Sequence, residues 1–179
     1  MKKIIIALFI SLGLAMPASA QYYGGASWGD WQMIPQRGDG NKVFEQGGQS
    51  GSALEIWHHK GGTELDSMKL RASIGKRQVQ LTGVCESACG LVVLSLPKNQ
   101  VCVGRSAEIS LHAARPVDGL RGDKAAWALA DTQTRANYVA LPNWAREKAR
   151  AAFTPPARDW VVFSRGELLA AGYKPCRGA

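Results

Sequence analysis

The stretch from Val79 to Val103 constrains the fold more than any other part of the chain. Val79-Gln-Leu-Thr82 reads as a strand and Val101-Cys-Val103 as another, and between them runs Gly83-Val-Cys-Glu-Ser87-Ala-Cys-Gly90 followed by Leu91-Val-Val-Leu-Ser-Leu96, ended by Pro97. Periodicity alone would allow that apolar run to be a buried strand. Its position decides for a buried helix, because parallel strands need a crossover between them and an apolar helix packed on the sheet supplies one. The expectation is therefore an α/β domain with a mostly parallel sheet.

The rest of the chain extends this pattern. Ala53–Trp57 reads as a strand ending at His58-His-Lys-Gly-Gly62, where a glycine pair permits a tight turn. Thr63 looks like the N-cap of a helix through Ser73 with Leu65, Met68 and Ala72 on one face. Residues 109–112 make a further strand. Two helices are expected over 123–140 and 143–152, separated by Pro142, the first with Trp127, Ala130 and Tyr138 near one face. Ser164-Arg-Gly-Glu167 is a capping box opening a short helix that Gly172 should end. Trp57, Trp127, Trp144 and Trp160 are expected in the core rather than along a groove. Arg146, Lys148 and Arg150 should form a solvated helix face, available for contact with anionic lipid or peptidoglycan.

The N-terminus reads differently. Lys2 and Lys3, an apolar segment from Ile4 to Ala15 and Ala18-Ser-Ala20 have the layout of a cleavable export signal, too short to span a bilayer. The expected mature chain begins at Gln21, in the periplasm or outside the cell. Losing two lysines lowers the net charge of +8 by two, and the remaining excess demands no nucleic-acid partner. Residues 21–52 are glycine-rich and weakly periodic, so a loose arm with little core is expected there, with the domain occupying 53–179.

The chain has four cysteines, Cys85, Cys89, Cys102 and Cys176. An even count in an exported chain favours two disulfides, and three connectivities are open. Zinc binding fails on spacing, since Cys85-x3-Cys89 has no second close pair. His58 and His59 could share an ion only if the strand has already ended, because neighbouring strand residues face opposite ways. Thiol redox chemistry at Cys85 or Cys89 is a weaker reading, the spacing being one residue longer than in the usual redox motif.

Ser87 falls where a strand turns into a helix N-terminus, so a negative charge developing beside it would meet the Ala88 amide and the positive end of the helix. The Gly61-Gly62 turn ends the neighbouring strand at the same sheet edge and offers a second amide. His112 ends the strand after the crossover, and parallel connectivity returns it to that edge as a base for Ser87.

His59-Lys-Gly-Gly62, Gly83-Val-Cys-Glu-Ser87-Ala-Cys-Gly90 and Ser110-Leu-His112 resemble, in order and spacing, the glycine turn, nucleophile serine and catalytic histidine of the Clp protease proteolytic subunit. With Cys85, Cys89 and Cys102 added, the chain is similar to an exported, cysteine-bearing branch of the Clp protease and crotonase superfamily. The resemblance covers residues 53–115 and continues weakly through 157–176. It implies a spiral of ββα units with a helical segment at 123–152, Ser87 as nucleophile, His112 as general base, the amides of Gly62 and Ala88 as oxyanion hole, and Asp159 as orienting acid, a Ser-His dyad being the alternative. The turn reads His-Lys-Gly-Gly where the protease has Ser-Pro-Gly-Gly, and the segment from the turn to Ser87 is about one helical turn shorter. The function implied by the resemblance is that of a periplasmic serine hydrolase of peptides or small ester or amide substrates, needing no metal or organic cofactor, with a homo-oligomer expected by analogy. The competing expectation is a non-catalytic envelope protein that uses the same fold for binding or assembly.

Overall fold

The computed structural model describes residues 31–34, 41–46, 53–154 and 159–177. The expected export signal at 1–20 lies outside them. The elements, in chain order, are β1 (Trp31–Ile34), β2 (Lys42–Gln46), β3 (Ala53–His59), α1 (Glu64–Ile74), β4 (Gln78–Glu86), α2 (Ala88–Leu94), β5 (Val101–Val103), β6 (Glu108–His112), α3 (Lys124–Ala140), α4 (Asn143–Phe153), β7 (Trp160–Ser164), α5 (Arg165–Ala170) and β8 (Lys174–Pro175).

The strands form a mixed sheet whose central pairings are parallel. β4 lies parallel to β3, β5 and β6, and β5 lies parallel to β8. The antiparallel pairings, β1 with β2, β2 with β3 and β6 with β7, occupy the flanks. β5 and β6 share one side of β4. Val79 to Leu81 face Val101 to Val103, whereas Val84 to Glu86 face Glu108 to Ser110, so the chain steps along β4 at residues 104–107.

Strand alternation sorts the sheet into two faces. Leu54, Ile56, Val79, Leu81, Cys85, Ile109, Leu111, Val161 and Phe163 are buried in one core with Leu70 and Ile74 of α1, Val92 and Val93 of α2 and Ala145, Ala149 and Phe153 of α4. α2 seats close to the sheet because Gly90 faces Ile109 and Leu111, where an added Cβ would come within 2.6 Å of the Leu111 side chain. The alternate residues Glu55, Trp57, Glu86, Glu108, His112, Trp160 and Val162 are half-buried or exposed.

Several expectations need correction. The segment 21–52 is not all loop: β1 and β2 fall within it, β2 pairs with β3, and Val43 is fully buried. Its short, glycine-separated runs carry too little periodicity to show as strands, and pairing to β3 supplies the order. On α1 the inward pair is Leu70 and Ile74, an i,i+4 stripe, while Leu65 and Met68 are exposed. On α3 it is Ala130 and Thr134. Trp57 and Trp160 are about half exposed, because their strand neighbours Ile56 and Val161 take the inward positions. Arg146 donates to the carbonyls of Val139 and Leu141 and so caps the end of α3 rather than standing in solvent.

Both disulfides are formed, Cys85 with Cys89 and Cys102 with Cys176. Among the described residues no helix is long and apolar enough to cross a membrane. The disulfides fit an oxidising compartment.

Candidate active site

β4 ends at Glu86 and α2 begins at Ala88, leaving a single residue, Ser87, to make the turn. It does so with φ 51° and ψ −121°, and among the described residues it is the one non-glycine with positive φ. A side chain held there costs about 1–3 kcal/mol, so the surroundings must enforce it. Three contacts do. The Ser87 amide donates to the Ser110 carbonyl at 2.6 Å, the Ser87 carbonyl accepts from the Leu91 amide at 3.2 Å, and the Cys85–Cys89 bridge ties the last inward residue of β4 to the first turn of α2. The Ser87 side chain makes no capping bond to its own helix. That separates it from an ordinary N-cap serine, whose hydroxyl is committed to the first-turn amides.

The glycine turn is pressed against this point. His59 pairs with Cys85 at the end of the β3–β4 ladder, which brings Gly61 against Ser87. A Cβ on Gly61 would lie 2.6 Å from the Glu86 carbonyl oxygen, 2.7 Å from Ser87 Cβ and 2.8 Å from the Ala88 nitrogen, and Gly61 has φ +80°. Only glycine fits. Gly62, at φ +143°, is packed as closely on Asp66, the residue that completes the Thr63 capping box of α1. The turn is further held by Asn41, whose Oδ1 accepts from the Lys60 amide at 2.8 Å, and by His59, whose Nδ1 accepts from the Gly61 amide at 3.0 Å. The Ala88 amide, in the first turn of α2, has no acceptor within its helix.

His112 reaches the same edge. Glu86 pairs with Ser110, and His112 lies two residues further along β6 on the same face. Its Nδ1 is 2.6 Å from the Ala113 carbonyl oxygen, which accepts only if Nδ1 carries the proton, leaving Nε2 with its lone pair. Trp160 stands edge-on to the imidazole at a centroid distance of 4.4 Å. The peptide that holds the ring is itself held: the Ala114 amide donates to Thr134 Oγ1 at 2.9 Å, and that hydroxyl, fully buried on α3, donates to the Ala130 carbonyl. Burial pushes the His112 pKa below its ordinary value, the Ala113 bond and Glu86 opposing that shift and Arg115 adding to it.

Ser87, Ala88, Gly62 and His112 therefore gather at one edge of the sheet. No hydrogen bond joins the Ser87 hydroxyl to His112 in this arrangement. Asp159 is exposed at the residue before β7, and the position an orienting acid would take on Nδ1 is occupied by the Ala113 carbonyl. His59 is buried while His58 is half-buried, β3 continuing through both, and among the described residues no group of three or more His, Cys, Asp or Glu is placed to hold a metal. A groove of about 400 Å³ lies elsewhere, between α4 and α5, lined by Trp144, Phe163 and Ala170. Lys148 hydrogen-bonds Glu167 there and, with Ser164, holds the Glu167 carboxyl down at about 2. It shares no residue with the Ser87 cluster.

Asn41, Ala113 and Thr134 support the site without any mark in the sequence, and His59, which the sequence marks as part of the glycine turn, supports it through a contact the sequence does not show. Ala113 acts through its backbone and leaves no side-chain signal, Asn41 lies in the segment expected to be an arm, and Thr134 looks like any small residue of an amphipathic helix. His59 had a trace, since it stands where the resembling turn has serine. The chain matches no protein-family model and no curated protein.

Proposed function

We propose that this chain is a serine hydrolase acting outside the cytoplasm by acyl transfer on peptides or small ester or amide substrates. The fold it would share with Clp protease and crotonase relatives belongs to the same proposal. The observation that carries it is Ser87: a serine at positive φ on a one-residue turn between strand and helix, its hydroxyl uncommitted to capping, pressed against a glycine turn. Such strain collects where a nucleophile must be presented.

In this reading Ser87 Oγ attacks the substrate carbonyl carbon while His112 Nε2 takes the hydroxyl proton. The tetrahedral oxyanion is received by the amides of Gly62 and Ala88, and the imidazolium returns its proton to the leaving group. The Ala113 carbonyl keeps the ring in the Nδ1–H tautomer, the orienting half of what an acid does in a triad. It brings no full negative charge to the imidazolium, so the chemistry is that of a dyad. Water then releases the acyl group by the same steps in reverse order.

The test is covalent labelling of the oxidised protein with a fluorophosphonate. Labelling of wild type that vanishes in Ser87→Ala and His112→Ala is expected. Absence of labelling in wild type, or labelling that survives Ser87→Ala, would overturn the reading and leave a non-catalytic binding module on this fold.

A further inference from the structure

We infer that His59 is a positioning residue of the oxyanion cradle: its imidazole fixes the Gly61 amide and with it the glycine turn over Ser87, and proton binding at Nδ1 releases that turn. The inference rests on the reading of Ser87 as nucleophile.

His59 is 3% exposed, and its Nδ1 accepts the Gly61 N–H across two residues of chain. Accepting at Nδ1 requires the lone pair there, so the proton of the neutral ring sits on Nε2. Pinning the Gly61 N–H sets the plane of the Lys60–Gly61 peptide, one residue before the Gly62 amide that the proposed mechanism assigns to the oxyanion. The turn has no slack to tolerate a different plane, because the space beside the Gly61 Cα is already filled by Glu86, Ser87 and Ala88. Were Nδ1 protonated, two N–H donors would oppose each other at 3.0 Å in a buried place, and the turn would have to move.

The groups around the ring set when that occurs. Burial pushes the His59 pKa down, Asp66 on α1 opposes this, and His58 on β3 adds to it. Cys85, its partner on β4, is in a disulfide and does not titrate. With the pKa below its ordinary value the contact is intact at neutral pH and is lost on acidification. The site thus needs two neutral imidazoles, His112 to accept a proton and His59 to accept an amide.

The pH dependence of the labelling rate tests this. With two required neutral groups, the wild-type rate should fall about a hundredfold per pH unit below both pKa values. His59→Asn places a carbonyl oxygen near the Nδ1 position without a titrating group, so it should keep a rate within about threefold of wild type at neutral pH and fall only about tenfold per unit. His59→Leu should lose about a hundredfold at neutral pH. A wild-type limb of tenfold per unit, or an undiminished His59→Leu, would overturn the inference. Nuclear magnetic resonance on wild type separates it from the parent reading: the Gly61 amide resonance should titrate with the His59 ring whether or not the protein is labelled. A Gly61 amide indifferent to that titration sinks the inference alone, whereas a coupled titration in an unlabelled protein leaves the contact and removes the hydrolase.

Discussion

The two disulfides divide stability and site geometry between them, and removing each in turn should separate the two. The Cys102–Cys176 bridge joins residues 74 apart and the Cys85–Cys89 bridge residues four apart. The chain-entropy relation assigns them about 4.4 and about 1.9 kcal/mol at 25 °C, a difference of about 2.5 kcal/mol from loop length alone. The double variant Cys102→Ala/Cys176→Ala should therefore unfold at a urea midpoint about 2 M below wild type, for a urea slope of about 2 kcal/mol/M. Its labelling rate, measured where it is still folded, should change less than threefold, because Cys102 and Cys176 lie on β5 and beyond β8, away from Ser87. Cys85→Ala/Cys89→Ala should show the smaller stability loss and the larger functional one. Without the bridge, the turn that holds Ser87 at φ 51° keeps only its backbone bonds and the glycine packing, and labelling should drop about tenfold or more as the serine relaxes toward an ordinary conformation. Urea denaturation and fluorophosphonate labelling on the same samples give both numbers. Equal labelling in the two double variants would refute the argument that the short bridge enforces the serine turn.

The site carries two more expected outcomes. Asp159→Asn should leave the labelling rate within about threefold of wild type, since the His112 ring is oriented by the Ala113 carbonyl; a loss approaching the about 10⁴-fold effect of removing an orienting acid would restore the triad. Thr134→Val keeps the shape but removes the buried acceptor of the Ala114 amide, so thermal or urea unfolding should show a loss of about 1–3 kcal/mol, with a lowered labelling rate because the peptide holding His112 loses its anchor.

What the sequence makes legible is whatever depends on local pattern and crossover logic. The apolar run after Ser87 is a helix because it joins parallel strands, and β4–α2–β5 bears that out. The N-cap at Thr63 and the capping box at Ser164 are formed as expected, and Thr63 turns out to make a full capping box with Asp66. The placement of Ser87 at a strand-to-helix turn, with the glycine pair and His112 at the same edge, also follows from strand order. Two things are hidden because they depend on contacts between distant segments, and a third because it lies in the main chain. The strands within 31–46 owe their order to β3, not to their own composition. The inward faces of α1 and α3 are decided by which neighbour each helix meets, so apolar spacing on a short helix misassigned Leu65 and Met68. The partner of His112 is a main-chain oxygen, which no residue identity announces.

The step at residues 104–107 has a mechanical consequence. Because β5 stops beside the lower half of β4 and β6 takes up beside the upper half, Ser87 and His112 sit on opposite banks of a seam. Three aligned residue pairs close it, Val84 with Glu108, Cys85 with Ile109 and Glu86 with Ser110, together with the Ser87 amide's bond to the Ser110 carbonyl, whereas β6 is joined to β7 by five pairs. His112 and Trp160 ride together on the far bank, and the serine turn and glycine turn ride together on the near one. Shear along this seam would strain the Ser87 amide's bond to the Ser110 carbonyl and the seat of Gly90 on Ile109 and Leu111, so the contacts that enforce the serine turn also lock the two banks together.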